Sequence, residues 1–113
     1  MTARILVVDD QRANVEMMAG VLKARGYSVS TAYDGQQAID QVREIRPDLV
    51  VSDILMPGID GYDLCRRVRG APETALLPIV LVTSLDAQAE RIKGLEAGAD
   101  DFLSKPVATR AAS

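Results

Sequence analysis

Short runs of aliphatic residues alternate along the chain with longer stretches whose apolar residues recur at helical spacing. Residues 5–8 and 49–51 are continuous aliphatic runs, which are typical of strands buried on both faces. Further β-rich runs predict strands at residues 27–32, 78–82 and 102–103. The pattern therefore predicts five strands, with an amphipathic segment between each strand and the next.

The segments between the strands carry signals for the starts and ends of helices. Gly26 follows a basic last turn in the first segment, and Pro47 prevents continuation of the second. Asp60 can cap a third helix, because its carboxylate can accept a hydrogen bond from a free backbone N–H. Asp86 can cap a fourth helix in the same way, and Gly98 ends it.

Strict alternation of strands and helices predicts an α/β fold, with a parallel sheet covered on both faces. Right-handed crossovers make the fold doubly wound, and we expect a five-stranded sheet in the flavodoxin-like order 2-1-3-4-5. Residues 1–113 form a single domain at this length. Residues 107–113 are too few for a fifth helix, so we expect the last helix to be truncated or missing.

Composition limits the classes of protein that this chain can belong to. Hydrophobic residues make up 48% and charged residues 26%, which excludes a disordered tail, a coiled coil and a collagen-like chain. The longest apolar stretch is far shorter than a membrane span, and the amino terminus lacks the pattern of a signal peptide. Cys65 is the single cysteine, which excludes a disulfide framework and is typical of a cytoplasmic protein.

Net charge and missing residue types narrow the chemistry further. The formal charge of −3 and the scarcity of aromatic residues argue against nucleic acid or an anionic membrane as a partner. The chain contains no histidine, which excludes histidine-based catalysis and histidine-ligated zinc. Arg66, Arg67 and Arg69 are interpreted as a solvent-exposed helix face, and Cys65 as a small core residue.

Polar side chains follow four of the predicted strands at the points where those strands end. They are Asp9 and Asp10 after the first strand, Asp53 after the third, Thr83 after the fourth and Lys105 after the fifth. Because the carboxyl ends of parallel strands lie at one edge of the sheet, we expect these side chains to converge. Each alone could be a cap, a turn residue or a solvated lysine; their joint placement at one edge favours a site.

Carboxylates held close together repel each other unless a counter-charge is present. Lys105 supplies one positive charge, and oxygen ligands without histidine or cysteine select a hard cation such as Mg²⁺. A carboxylate beside Mg²⁺ can act as the nucleophile of phosphoryl transfer and form an aspartyl-phosphate. The strand ends therefore predict a Mg²⁺-dependent site where an aspartate accepts a phosphoryl group.

At these residues the sequence resembles the receiver domain of two-component response regulators. The resemblance covers residues 4–107 and, within the family, is greatest to the first receiver of PleD-type regulators, which drive a diguanylate cyclase. The matching segments are residues 7–10, 52–61, 82–84, 94–99 and 102–106.

The resemblance implies a role for each strand-end residue. Asp53 is the implied phosphoacceptor and also an implied Mg²⁺ ligand. Asp10 is implied to bind Mg²⁺ directly and Asp9 through water, and the main-chain carbonyl of Leu55 supplies a further ligand. Such a domain is a signalling phosphoacceptor that assists its own phosphorylation and slow dephosphorylation, and is not otherwise an enzyme.

Three further residues have implied roles in contacting and reporting the phosphoryl group. Thr83 donates a hydrogen bond to a phosphoryl oxygen, and Lys105 forms an ion pair with the group. Phe102 stands at the position of the switch aromatic, which turns inward when the threonine moves toward the phosphate. Phosphorylation is thus expected to switch the face around these three side chains.

The resemblance also implies partners. Because the chain has no histidine, the phosphoryl donor is a separate histidine kinase or phosphotransfer protein. We expect the chain to be a fragment of a longer regulator with a covalently attached output domain, for example a diguanylate cyclase. The surface of the fifth helix often mediates dimerisation in this family, so a homodimer is also among the implied assemblies.

Two alternative classes share parts of this pattern. Haloacid-dehalogenase-type phosphatases also phosphorylate an aspartate, but they carry a second aspartate two residues later, where this chain has Leu55. A flavodoxin-like module needs a phosphate loop after the first strand. In this chain that segment, residues 9–12, begins with two aspartates, which would repel a phosphate.

Leu55 and Leu85 cannot orient water or act as acid or base, which predicts a long-lived phosphoryl group.

Overall fold

The computed structural model describes residues 2–83 and 87–104. Strands and helices alternate along this part of the chain, with one short 3₁₀ turn between α3 and β4. The elements are β1 Arg4–Val8, α1 Arg12–Ala24, β2 Ser28–Ala32, α2 Gly35–Ile45, β3 Leu49–Asp53, α3 Gly61–Gly70, the 3₁₀ turn Pro72–Thr74, β4 Ile79–Thr83, α4 Ala87–Ala97 and β5 Asp101–Ser104.

The five strands form one parallel sheet in the order β2-β1-β3-β4-β5. This arrangement confirms the predicted fold class and strand order. The observed strand bounds differ from the predicted ones by one residue at several ends and by two residues at the end of β3. Pro78, for example, lies before β4 because it has no N–H to donate, although its carbonyl accepts from the Val50 N–H at 2.9 Å.

Both faces of the sheet are buried, as the continuous aliphatic runs predict. Ile5 and Val7 on β1 pack with Val15 of α1 on one face. Leu6 and Val8 alternate with them and join the core under α2 and α3 on the other face. Successive side chains of a strand point to opposite faces, so a strand covered on both sides must be apolar at every position.

Caps and glycines end the helices where the sequence predicts. The Asp60 carboxylate accepts from the Asp63 N–H at 2.9 Å, which confirms it as the cap of α3. Gly26 and Gly98 follow α1 and α4 with φ of 92° and 106°, a conformation that other residues adopt only with strain. Asp86, the predicted cap of α4, lies outside the described residues.

The sequence prediction for Cys65 has a clear outcome in the core of the protein. Cys65 is fully buried, as expected for a core residue, and burial raises the pKa of its thiol to about 11. The predicted loss of the last helix concerns residues 105–113, which lie outside the described part of the chain. In that described part, no helix combines the length and the hydropathy needed to cross a membrane.

Arg69 is not part of a solvent-exposed face, so that prediction was wrong. Its guanidinium donates to the Gly98 carbonyl at 2.9 Å, to the Leu77 carbonyl at 2.5 Å and to the Asp100 carboxylate at 2.6 Å. The same carboxylate oxygen accepts from the Ile79 N–H at 2.7 Å. Arg69 therefore ties the end of α3 to the turn before β4 and the turn before β5.

Replacement of Arg69 by alanine is expected to lower the free energy of unfolding by about 2 kcal/mol, because hydrogen bonds to a charged group are lost and their acceptors lose a partner. Urea denaturation followed by circular dichroism measures this change. Arg66→Ala is the matched control, since Arg66 forms only an exposed ion pair with Asp63 at 2.9 Å. That control should cost about 0.5 kcal/mol or less, and equal losses in the two variants would contradict the role of Arg69.

Candidate functional site

The pairing of β1 with β3 brings two of the predicted carboxylates together. In this parallel pair Val8 stands opposite Ser52. Asp9 directly follows Val8, and Asp53 directly follows Ser52, so the two aspartates lie side by side at the carboxyl edge of the sheet. Neighbouring strands are about 4.8 Å apart, which sets the spacing of residues that share a register.

The acidic cluster consists of Asp9, Asp10 and Asp53, each of which has one carboxylate oxygen within 4.8 Å of those of the other two. Asp9 and Asp53 are nearly buried, with 5% and 9% of their surfaces exposed, whereas Asp10 is exposed. Asp9 also accepts from the Gln11 N–H at 3.0 Å, which holds its carboxylate at the start of α1. Three like charges at this distance favour a cation between them.

The dimensions of the acidic cluster fit Mg²⁺. Two oxygens bound to one Mg²⁺ lie at most about 4.2 Å apart, because each Mg–O bond is about 2.1 Å long. A set that spans up to 4.8 Å fits an ion held directly by some carboxylates and through water by another. Mg²⁺ usually keeps several waters and takes only one or two carboxylates from the protein, so the donor set agrees with this metal.

The loop after β3 places Leu55 beside the acidic cluster with its side chain in solvent. Its neighbours Ile54 and Met56 are buried and anchor the loop, whereas Leu55 is 59% exposed. Gly58 turns the chain back with φ of 75°. An exposed apolar side chain two residues after the candidate phosphoacceptor supplies neither an acid nor a base there.

Gly61 is a residue of the site region whose role was not recognised from the sequence. Its N–H donates to the Ile54 carbonyl at 2.9 Å. A Cβ at this position would lie only 2.6 Å from the Asp53 carbonyl oxygen, so the start of α3 can approach the end of β3 only with glycine there. The tertiary contact requires the glycine, and the position of Gly61 after a helix-capping aspartate was the available signal.

Arg12 is a second residue at this edge that sequence reasoning did not single out. It is the first residue of α1 and follows Gln11, which comes directly after Asp9 and Asp10. Its guanidinium lies 4.4 Å from the centroid of the Tyr33 ring, within the range of a cation–π interaction. The contact holds one positive charge between the end of β1 and the end of β2.

The remaining predicted site residues are described only in part. β4 ends at Thr83, which pairs in register with Ser104 of β5, so its backbone lies at the same edge as the acidic cluster. Phe102 lies within β5, opposite Leu81. Lys105 directly follows Ser104 in the sequence, and it lies outside the described residues, as does Leu85.

Magnesium is expected to raise the midpoint of thermal unfolding, because a ligand that binds only the folded state stabilises it. The shift should be much smaller in Asp10→Asn, while this variant without metal should unfold at or above the wild-type temperature, since one repelling charge is gone. Differential scanning calorimetry in MgCl₂ and in EDTA measures both effects. Glu44→Gln removes an exposed carboxylate at the far end of α2 and should keep the wild-type shift; a full shift in Asp10→Asn would contradict the site.

Comparisons with known proteins agree with the geometry. A sequence profile of the response regulator receiver domain matches residues 5–112. Response regulator PleD of Caulobacter vibrioides is 49% identical over 107 residues, which are 95% of this chain and 24% of PleD. Response regulator MprA of Mycobacterium tuberculosis is 48% identical over 108 residues, which are 96% of this chain and 46% of MprA. The chain thus spans about a quarter and about half of the lengths of these relatives.

Solved structures share the whole fold. Chemotaxis protein CheY4 of Vibrio cholerae superposes with a TM-score of 0.92 at 29% identity, covering 99% of this chain and 93% of that one. The signal receiver domain of a histidine kinase from Syntrophus aciditrophicus superposes with a TM-score of 0.86 at 35% identity, covering 98% and 88%. The resemblance carried by the strand-end motifs is thereby confirmed, and the chain belongs to the response regulator receiver domain family of two-component signalling.

Proposed function

We propose that Asp53 accepts a phosphoryl group in a Mg²⁺-dependent reaction. The observation that carries this proposal is the convergence of three carboxylates within 4.8 Å at the carboxyl edge of the sheet. Asp53 ends β3 in the middle of that edge and keeps a small part of its surface exposed. A nucleophile needs this combination of a fixed position and an open line of approach.

In the proposed reaction an Asp53 carboxylate oxygen attacks the phosphorus atom of the donor. A bond from that oxygen to phosphorus forms, and the bond from phosphorus to the donor's leaving group breaks. Asp10 and Asp53 would hold Mg²⁺ together with the Leu55 carbonyl, and Asp9 would hold it through water. When bound, Mg²⁺ supplies positive charge to the carboxylates and to the phosphoryl oxygens.

Thr83 and Lys105 are the proposed contacts of the bound phosphoryl group. The hydroxyl of Thr83 donates to one phosphoryl oxygen, and the ammonium of Lys105 pairs with another. The backbone of Thr83 at the carboxyl edge and the position of Lys105 directly after β5 support this assignment.

The same contacts form the proposed switch. Phosphorylation adds negative charge and acceptor oxygens at the edge, and these draw Thr83 toward the phosphate. Phe102 then fills the vacated space, which biases an existing equilibrium between two conformations.

The proposed donor is a phosphohistidine of a histidine kinase or a phosphotransfer protein, because this chain contains no histidine. An output domain attached to the same polypeptide, for example a diguanylate cyclase, remains a proposal for the whole regulator. The greater lengths of PleD and MprA support it.

Phosphorylation at Asp53 is tested with acetyl phosphate and Mg²⁺ as the donor mixture. Intact-protein mass spectrometry should show the mass gain of one phosphoryl group in the wild type and none in Asp53→Asn, because an amide oxygen is a poor nucleophile. Asp10→Asn should be labelled far more slowly, and Glu44→Gln at the wild-type rate. Equal labelling of the wild type and Asp53→Asn would refute the proposal.

The phosphoryl group is expected to be long-lived, because Leu55 cannot orient an attacking water. In Leu55→Asn the amide can position water, so the label should be lost several-fold faster than in the wild type. Leu55→Ala is the matched control and should keep the slow rate, since it is also apolar. A wild-type protein that loses the label much faster than Leu55→Asn would contradict this expectation.

The switch is tested by crystallography of the protein with beryllofluoride, a mimic of the phosphoryl group. Phe102 is expected to point inward in this form, because its ring has no hydroxyl that needs a polar partner when buried. In Thr83→Ala the same treatment should leave Phe102 as it is in the untreated protein. A ring that points to solvent in the beryllofluoride-bound wild type would count against the coupling.

A further inference from the structure

A groove on the opposite edge of the molecule plays no part in the phosphorylation chemistry. It consists of two adjoining hollows of about 360 and 480 Å³ between the carboxyl ends of α2 and α3 and the 3₁₀ turn. Both hollows share Val42, Arg43, Glu73 and Thr74 as lining residues. We call this feature the α2–α3 groove.

The α2–α3 groove is basic on a chain whose net charge is negative. Arg43, Arg46 and Arg67 line it, and Glu73 is the one acidic residue among its lining residues. All three arginines are exposed, and within residues 2–83 and 87–104 none of them forms an ion pair. Arg66 and Arg69, on the same helix as Arg67, do have carboxylate partners. The groove therefore presents guanidinium groups whose charge is available to another molecule.

The same groove exposes apolar surface. Leu76 lines the larger hollow and is 94% exposed, the highest value among the large apolar residues exposed in the described part of the chain. Pro47 and Pro72 also line this hollow, and Pro72 is exposed. Covering an apolar side chain that is so exposed to water lowers the free energy of the complex with a partner.

The wall of the groove is held by the protein's own hydrogen bonds. The Thr74 hydroxyl donates to the Val68 carbonyl at 2.7 Å, and the Thr74 N–H donates to the Ala71 carbonyl at 3.1 Å. The Leu77 N–H donates to the Thr74 carbonyl at 3.1 Å. A wall that is already ordered costs less conformational entropy when a ligand binds.

We propose that the α2–α3 groove is a docking site for an acidic peptide segment that also carries aliphatic side chains, supplied by a partner protein. Charge complementarity with the three arginines selects the acidic residues, and Leu76 selects the aliphatic ones. The carboxyl ends of α2 and α3 carry partial negative charge, which offsets part of the arginine field. A ligand that binds through charge alone therefore gains less binding free energy in this groove, so the occupant needs both ionic and apolar contacts.

Other classes of occupant match the lining less well. A single-stranded nucleic acid binds through aromatic rings on which its bases stack, and the lining of the two hollows contains no aromatic residue. A small inorganic anion would leave Leu76 uncovered. Of these three classes, the acidic and aliphatic peptide pairs with both the guanidinium groups and the apolar wall.

Docking at the groove leaves the acidic cluster accessible. The groove lies before the starts of β3 and β4, whereas the acidic cluster lies at the carboxyl ends of β1 and β3. A strand of five residues separates the two edges by about 15 Å. A partner can therefore occupy the groove while phosphoryl transfer takes place at the other edge.

The test uses a fluorescein-labelled peptide of glutamate and leucine, with a lysine and leucine peptide of equal length as its counterpart. Fluorescence anisotropy should show that the acidic peptide binds and the basic peptide does not. Binding of the acidic peptide should weaken as salt screens the charges. The double variant Arg43→Glu with Arg67→Glu should weaken binding by about tenfold or more, and Leu76→Ala by a smaller factor. Arg66→Glu, on the same helix but outside the groove, should bind as the wild type does.

Nuclear magnetic resonance locates the peptide on the protein. Amide shifts are expected at residues 42–47 and 67–77, with the acidic cluster unmoved, and labelling by acetyl phosphate should be unchanged in the groove variants. Equal binding of the two peptides, shifts elsewhere, or a groove double variant that binds normally would overturn the proposal. Binding of oligothymidine or self-association through Leu76, detected by sedimentation, would overturn it in favour of those occupants.

Discussion

The parallel pairing of β1 with β3 is the interaction on which the candidate site depends. Its register places Val8 opposite Ser52. The residues that follow them, Asp9 and Asp53, are far apart in the sequence and are brought together by this pairing. The pairing is held by backbone hydrogen bonds and by aliphatic side chains packed on both faces. The free energy of burying these side chains opposes the repulsion between the carboxylates that the pairing brings together.

The two edges of the sheet carry different functional groups. At the carboxyl edge Asp9, Asp10 and Asp53 each bring one carboxylate oxygen within 4.8 Å of the others, a donor set that fits Mg²⁺. At the amino edge Arg69 and Asp100 hold the turns before β4 and β5 in place, and the α2–α3 groove presents arginines to solvent. The proposed metal site and the proposed peptide site thus lie at separate places on one small domain, because the strands hold the acidic cluster and the α2–α3 groove at opposite edges of the sheet.

Membership in the receiver family decides between the function classes that the sequence left open. A haloacid-dehalogenase-type phosphatase would need an acid where the structure has exposed Leu55, and a flavodoxin-like module would need a phosphate loop where the structure has acidic residues. The receiver and the flavodoxin-like module share one topology, and the phosphatases share the aspartate chemistry. The chemistry at the strand ends, and not the fold, distinguishes them.

The five strands, the cap at Asp60 and the polar residues at the strand ends could be predicted from the sequence, because hydrophobic period and strand-end polarity are local properties. The doubly wound fold class then implied the strand order and the convergence of Asp9, Asp10 and Asp53. The roles of Arg69, Gly61 and Leu76 became apparent only from the folded structure. Arg69 belongs to a run of arginines that looks uniformly exposed, and its partners Gly98 and Asp100 come from distant turns. Gly61 is required by the approach of the Asp53 carbonyl, and Leu76 is left uncovered by elements that pack elsewhere. These three properties depend on which surfaces meet in space, and no local pattern of residues records that.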